Sequence, residues 1–334
     1  RKATIHSDLL TPTCSDSVSF MQAILRADVT GRSSRCHEYR FASLPPCSSG
    51  GMRLILFLAA QYVGIAVVQN YVDVEATAAT GNYTVRPLPA VAGVQLERPQ
   101  LEENTSFVYI MAAVLIGTGL ILVLVRFKQV KLWKLWFFLA VTICLTVAFG
   151  AFLNAIAAAV LAIVLALWKV LRPNIIVHNV TELFVYGGLA AFLAPVMNVW
   201  AALALLVLVS FYDMYAVWKS KHMVALATFQ RDAGMFAGLL LPYSFGNGAM
   251  PRSGSGPGMK VQTAVLGGGD MGFPLLFAAT LLKQQGLTAA LTIPPFAALG
   301  LVVLLIMAKK DRFYPAMPAI TIGCLVGWAV TFLF

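Results

Sequence analysis

Val199-Trp200-Ala201-Ala202-Leu203-Ala204-Leu205-Leu206-Val207-Leu208-Val209-Ser210-Phe211-Tyr212-Asp213-Met214-Tyr215-Ala216-Val217 is apolar on every face of a helix drawn through it, yet it holds one acid near its end. A helix with no polar stripe has nothing to offer water, and about 20 such residues suffice to cross a bilayer. Asp213 is the anomaly. An ionisable group at the centre of a spanning helix costs roughly 2.5–3.5 kcal/mol on the insertion scale, so its presence demands a reason.

Working outward from this run, apolar segments of spanning length recur at roughly 53–72, 107–126, 132–151, 153–171, 175–196, 262–282, 287–308 and 315–334. With 198–217 they make nine spans. The third and fourth are separated only by a tight turn near Asn154, and the fifth and sixth meet near Pro195 and Asn198. In hydrocarbon every backbone polar group must be satisfied internally, so the expected fold class is all-α, a polytopic membrane protein of nine transmembrane helices. The membrane domain is expected over 52–334, with helices 1–6 in 53–217, a cytoplasmic loop over about 218–261 and helices 7–9 in 262–334.

The composition agrees. The 334-residue chain is 59% hydrophobic and 11% charged, against about 25% charged in soluble domains. The net charge of +10 sits in short connections between apolar runs, which is a topology signal and argues against nucleic acid as a partner. Arg126, Lys128, Lys131, Lys134, Lys169, Arg172, Lys219, Lys221, Arg231, Arg252, Lys260, Lys309, Lys310 and Arg312 fall on one side of nine spans; Arg86, Arg98 and Lys283 fall on the other. The basic side is cytoplasmic, so the N-terminus is expected inside and the C-terminus outside. The expected location is a membrane, multi-pass, and the cell membrane if the source is prokaryotic.

Three segments stand apart. Residues 1–51 are polar and Ser-rich, and Met52 resembles a natural start; they are expected to be a disordered or artefactual extension. Residues 73–106 make an acidic external loop whose Asn82-Tyr83-Thr84 and Asn104-Thr105-Ser106 match glycosylation acceptors. Pro251-Arg252-Ser253-Gly254-Ser255-Gly256-Pro257-Gly258 cannot sustain a helix and should be mobile. The five cysteines show no zinc-ligand spacing, and Cys144 and Cys324 lie in apolar runs as small hydrophobes. No metal site and no cofactor is expected.

Within the nine spans the acids are Glu182, Asp213 and Asp270. Asp213 is late in the sixth span and Asp270 early in the seventh, so both lie toward the cytoplasmic face. At 1.5 Å per helical residue, Asp213 is about 6–9 Å from Lys219, and Asp270 about 15 Å from Lys260 if that stretch is helical. Two carboxyls meeting at low dielectric cannot both ionise easily and titrate as a pair. The ionised member takes a proton from water while its partner donates to a carbonyl. Gly267, Gly268 and Gly269 before Asp270 would let a peptide backbone approach closely. Otherwise each Asp pairs with a base for transport or packing, and His178 is almost the only base available in the spans. His178 and Glu182, four residues apart, share a helix face and are expected to hydrogen-bond to each other; they lack the second histidine of a zinc protease. Ser253 and Ser255 have no partner histidine in a rigid frame. Gly323 and Gly327 permit close helix packing.

Tyr212-Asp213 and Gly267-Gly268-Gly269-Asp270 resemble the YD and GxGD motifs of the presenilin and signal peptide peptidase family. Pro318-Ala319-Ile320 resembles that family's Pro-Ala-Leu signature, with Ile320 in place of Leu. The resemblance covers residues 52–334, and the compact cytoplasmic loop is most similar to archaeal homologues. It implies an intramembrane aspartyl endopeptidase with Asp213 and Asp270 as its catalytic pair. Tyr212, Gly267, Gly268, Gly269, Pro318, Ala319 and Ile320 would bind substrate or shape the site. It also implies single-pass transmembrane peptides as substrates and no obligate partner subunits, and it leaves a homo-oligomer open. The competing readings are a proton-coupled transporter or channel using the same acids as a relay, and a prepilin-type peptidase. The first would favour paired broken helices in matching halves and acids at the midplane, neither of which the sequence offers. The second lacks a cytoplasmic cysteine cluster and leaves the Pro318 motif unexplained.

Overall fold

The computed structural model describes residues 48–73, 77, 83–91, 94–172, 174–220, 226, 229–230, 235–242, 263–307 and 314–333. Contacts divide the chain into residues 1–40 and residues 41–334, and all described residues lie in the second unit. The expected extension therefore falls outside the described residues as far as residue 47, as do Asn82, the Pro251–Gly258 stretch and Lys309–Arg312. The last residues assigned to that extension are helical, because the first helix opens at Ser48.

Among the described residues there are nine α-helices: α1 (Ser48–Asn70), α2 (Ser106–Arg126), α3 (Val130–Gly150), α4 (Ala155–Leu171), α5 (Ile175–Leu193), α6 (Val199–Tyr215), α7 (Gly268–Gln285), α8 (Leu287–Met307) and α9 (Met317–Thr331). Six helices among these residues are long and apolar enough to cross a membrane, and α4 and α9 are shorter apolar helices. Asparagines start three of them. Asn154, Asn174 and Asn198 each accept a hydrogen bond on the side-chain oxygen from an amide of the next turn, at 2.9, 2.8 and 2.7 Å. That satisfies donors a helix start leaves free, which matters most where water is scarce.

The all-helical expectation is corrected in two places. Strands β1 (Ala90–Val91) and β2 (Val94–Gln95) form a small antiparallel ribbon in the loop before α2. Strands β3 (Gly238–Pro242) and β4 (Thr263–Gly267) form a second, with Gly238 opposite Gly267 and Pro242 opposite Thr263. The seventh span therefore does not begin as a helix at 262. Its Thr263-Ala264-Val265-Leu266 run is a strand, and the helix starts at Gly268. A short apolar run with a β-branched residue suits either state, and here a pairing partner decides. The helical depth expected between Lys260 and Asp270 does not hold for the same reason.

Helix α7 is the hub. It packs against α1, α5, α6, α8 and α9, and Pro274 through Leu282 are buried without interruption. A helix touching protein on all sides needs no lipid-facing stripe, and α7 is the least apolar of the later helices. The outer helices instead turn Leu, Ile and Val outward, as in Ile116 of α2, Ile156 of α4 and Ile306 of α8. Helices α8 and α9 approach closely: a Cβ on Gly300 would collide with the Ala319 carbonyl, and one on Gly323 with that of Phe296. These are the small-residue approaches that let membrane helices gain van der Waals contact.

Candidate active site

Asp213 lies in the last turn of α6 and Asp270 in the first turn of α7, on helices packed against each other. The carboxyls lie near enough for Asp270 to feel the charge of Asp213. Asp213 is 9% exposed, and its Oδ2 accepts a hydrogen bond from the Met317 N–H at 3.1 Å. The Ala316 N–H also turns toward it. Both amides belong to the start of α9, where unpaired N–H groups and the helix dipole favour an anion. A second rung lies one turn along the same helix pair, where Ser210 Oγ and Thr321 Oγ1 are 2.7 Å apart.

Asp270 is half-buried. Its carboxyl folds back over Gly267 at the start of its own helix. Gly267 is the N-cap residue of α7, and Gly268 and Gly269 are its first helical residues. A Cβ on Gly267 would stand 3.1 Å from Asp270 Oδ2, and one on Gly268 3.1 Å from the Tyr186 hydroxyl. The Gly268 N–H donates to the Ala237 carbonyl at 3.2 Å, closing the β3–β4 ribbon against the helix.

Pro318 is in the first turn of α9, where its missing N–H is not needed. Pro318 and Ala319 are half-buried and Ile320 is fully buried. The Ala319–Ile320 backbone lies against Gly300 of α8. Tyr212 is half-buried beside Asp213. Thus the Tyr212–Asp213 turn, the Gly267–Asp270 turn and the Pro318 turn gather around one point.

Two expectations about buried partners are corrected. His178 and Glu182 do not bond to each other. His178 Nε2 lies 2.7 Å from the Gly238 carbonyl; a carbonyl only accepts, so the ring carries its proton on Nε2. Gly238 sits at φ +148°, and a Cβ there would collide with the Leu266 carbonyl, so glycine is required at the point where β3 docks on α5. Glu182 instead pairs with Lys169 of α4 at 2.5 Å, with side chains 3% and 2% exposed. Lys169, expected as a loop marker of topology, is an internal counter-ion whose ammonium also lies 5.4 Å from the centre of the Phe137 ring.

Sequence reasoning missed other buried polar groups. Gln61 of α1 is fully buried, and its Nε2 donates to the Met271 carbonyl at 2.8 Å. The buried Tyr186 hydroxyl makes no hydrogen bond of normal geometry, yet lies in electrostatic reach of Glu182 and Asp270. A polar residue within an apolar run, Gln61 in 53–72 for example, was the available signal.

Residues 85–334 match the family described as signal-peptide peptidase, presenilin aspartyl protease. No curated protein matches the chain. Two solved structures of a presenilin family intramembrane aspartate protease, in C222 and P2 space groups, are similar in fold. The first has 17% identity and a TM-score of 0.55 over 85% of this chain and 98% of its own. The second has 18% identity and a TM-score of 0.53 over 85% and 96%. With three motif-bearing turns converging on two acids in a bundle of apolar helices, and with the family match spanning most of the chain, this protein belongs to the signal-peptide peptidase and presenilin family of aspartyl proteases.

Proposed function

We propose that this chain is a GxGD-type intramembrane endopeptidase that hydrolyses peptide bonds of transmembrane helices, with Asp213 and Asp270 as its two catalytic carboxyls. The observation that supports this reading is the placement of two acids on packed helices, one of them held by the Met317 amide at the start of α9. The ionised carboxyl takes a proton from water as that water attacks the scissile carbonyl. The protonated carboxyl donates to the carbonyl oxygen, and the same groups return a proton to the leaving amine. A helical substrate hides its carbonyls in its own hydrogen bonds and must unwind first. The β3–β4 ribbon, which runs directly into the Gly268–Asp270 turn, offers strand edges on which an extended segment could pair.

The same reading takes all nine helices as spans, with the N-terminus cytoplasmic and the C-terminus external. Helix ends support the alternation. Lys283 near the end of α7 reaches Glu103 before α2 at 2.6 Å and the Pro195 carbonyl after α5 at 3.0 Å. Trp200 at the start of α6 meets Trp328 near the end of α9, ring centres 5.7 Å apart, as in an interfacial aromatic belt. Substrates are single-pass transmembrane peptides, the bilayer is the solvent, and no partner subunit is required.

The test is cleavage of a single-pass peptide by purified protein. Asp213→Asn and Asp270→Asn should each abolish product, and the double variant should be no worse than either, because the two act as one unit. The wild-type rate should be bell-shaped in pH. Robust cleavage by either single Asn variant would remove the dyad; proton transport without peptide product would favour a relay.

A further inference from the structure

The turn that carries Asp270 is weak by composition. Gly268, Gly269 and Gly272 each lower helix stability by about 1 kcal/mol relative to Ala. Pro274 lies four residues beyond Asp270 and has no N–H, so the Asp270 carbonyl loses its intrahelical donor. Left alone, such a turn would sample several positions, yet two carboxyls sharing a proton tolerate little misplacement.

One group outside the turn holds it. Gln61 Nε2 donates to the carbonyl of Met271, the residue directly after Asp270, at 2.8 Å. The two residues are far apart in sequence, and Gln61 is 0% exposed. Its Oε1 is buried with no hydrogen-bond partner, so the amide occupies this position against a desolvation cost of about 1–3 kcal/mol. One turn farther along, Leu275 fills the space beside Gly64, where a Cβ would overlap the leucine side chain, and the backbone of Gly64 lies against Gly187 of α5. These contacts fix α1 against α7 in register, so Gln61 meets the Met271 carbonyl and not a neighbouring one.

We propose that Gln61 is a positioning residue for the aspartyl site, its amide on the Met271 carbonyl holding the Asp270 turn where its carboxyl meets that of Asp213. This inference rests on the protease reading above. It acts on the turn and not on substrate, so it governs turnover and leaves affinity alone.

The experiment compares wild type, Gln61→Met, Gln61→Glu and Asp270→Asn on one single-pass peptide in detergent, with folded protein counted from its monodisperse size-exclusion peak. Gln61→Met keeps the side-chain length and removes the donor; its kcat per folded molecule should fall roughly 10–100-fold with KM within about twofold. Gln61→Glu donates to the Met271 carbonyl only when protonated, so its rate relative to wild type should be highest at acid pH and fall as pH rises. If Gln61→Met does not fold, that pH-dependent ratio decides alone. Wild-type kcat in Gln61→Met, or a Gln61→Glu profile parallel to wild type, overturns the inference. Failure of wild type to cleave, with Asp270→Asn indistinguishable from it, overturns the protease reading and the inference with it.

Discussion

The buried pair of Lys169 and Glu182 offers the sharpest test of how this bundle is held. At a separation of 2.5 Å and an effective dielectric constant of about 20, the attraction is roughly 6–7 kcal/mol. Withdrawing two ions from water costs several kcal/mol each, so the intact pair contributes little net stability. Breaking it is different. Glu182→Leu leaves the Lys169 ammonium buried with the Phe137 ring as its remaining favourable neighbour, and Lys169→Met leaves a buried carboxylate. Each should destabilise by about 3–5 kcal/mol, a fall in melting temperature of roughly 6–20 °C. Replacing both, as Lys169→Met with Glu182→Leu, should restore stability to within about 1 kcal/mol of wild type or exceed it, because no ion is then buried. Thermal unfolding of the four proteins in one detergent reads the cycle. A double variant as unstable as the sum of the singles, or a single variant melting with wild type, would refute the reasoning.

Three further outcomes are expected. Single cysteines placed near Lys283 and near Lys309 should label from opposite sides of the membrane; labelling from one side would remove the nine-span arrangement. Pro318→Ala should lower turnover while the protein stays folded in detergent, since the proline presets the first turn of α9 beside Asp213; full activity would make it only a helix start. Burial pushes the hydroxyls of Tyr71 and Tyr83 from about 10 up to about 12. Their folded values are raised, so their contribution is complete below pH 10 and is lost as pH climbs from 10 through 12. Tyr71 donates to the Val147 carbonyl at 2.7 Å, and phenolate there would face another oxygen. Unfolding in denaturant should therefore show stability falling above pH 10, and Tyr71→Phe should flatten that fall; an unchanged alkaline limb in Tyr71→Phe would assign the fall elsewhere.

What can be read from one strand of sequence here is what depends on composition within a window. Long apolar runs place the helices, because the cost of exposing backbone or charge to hydrocarbon is paid residue by residue. The same cost makes Asp213 and Asp270 conspicuous, and asparagines at 154 and 198 mark turns because capping is local. The choice of partner is not local. Lys169 and Glu182, His178 and the Gly238 carbonyl, and Gln61 and the Met271 carbonyl come from different elements of the fold, and nothing within either segment names the other. Thr263–Gly267 reads as the start of a helix until β3 lies beside it, because its apolar run satisfies both periods and only a second strand can satisfy its amides as a sheet. The apolar runs and the two conspicuous acids therefore follow from the chain alone. Which buried polar group meets which is decided by how the helices cross, because a hydrogen bond across a membrane bundle needs its two atoms within about 3 Å, a distance that only the packed helices can set.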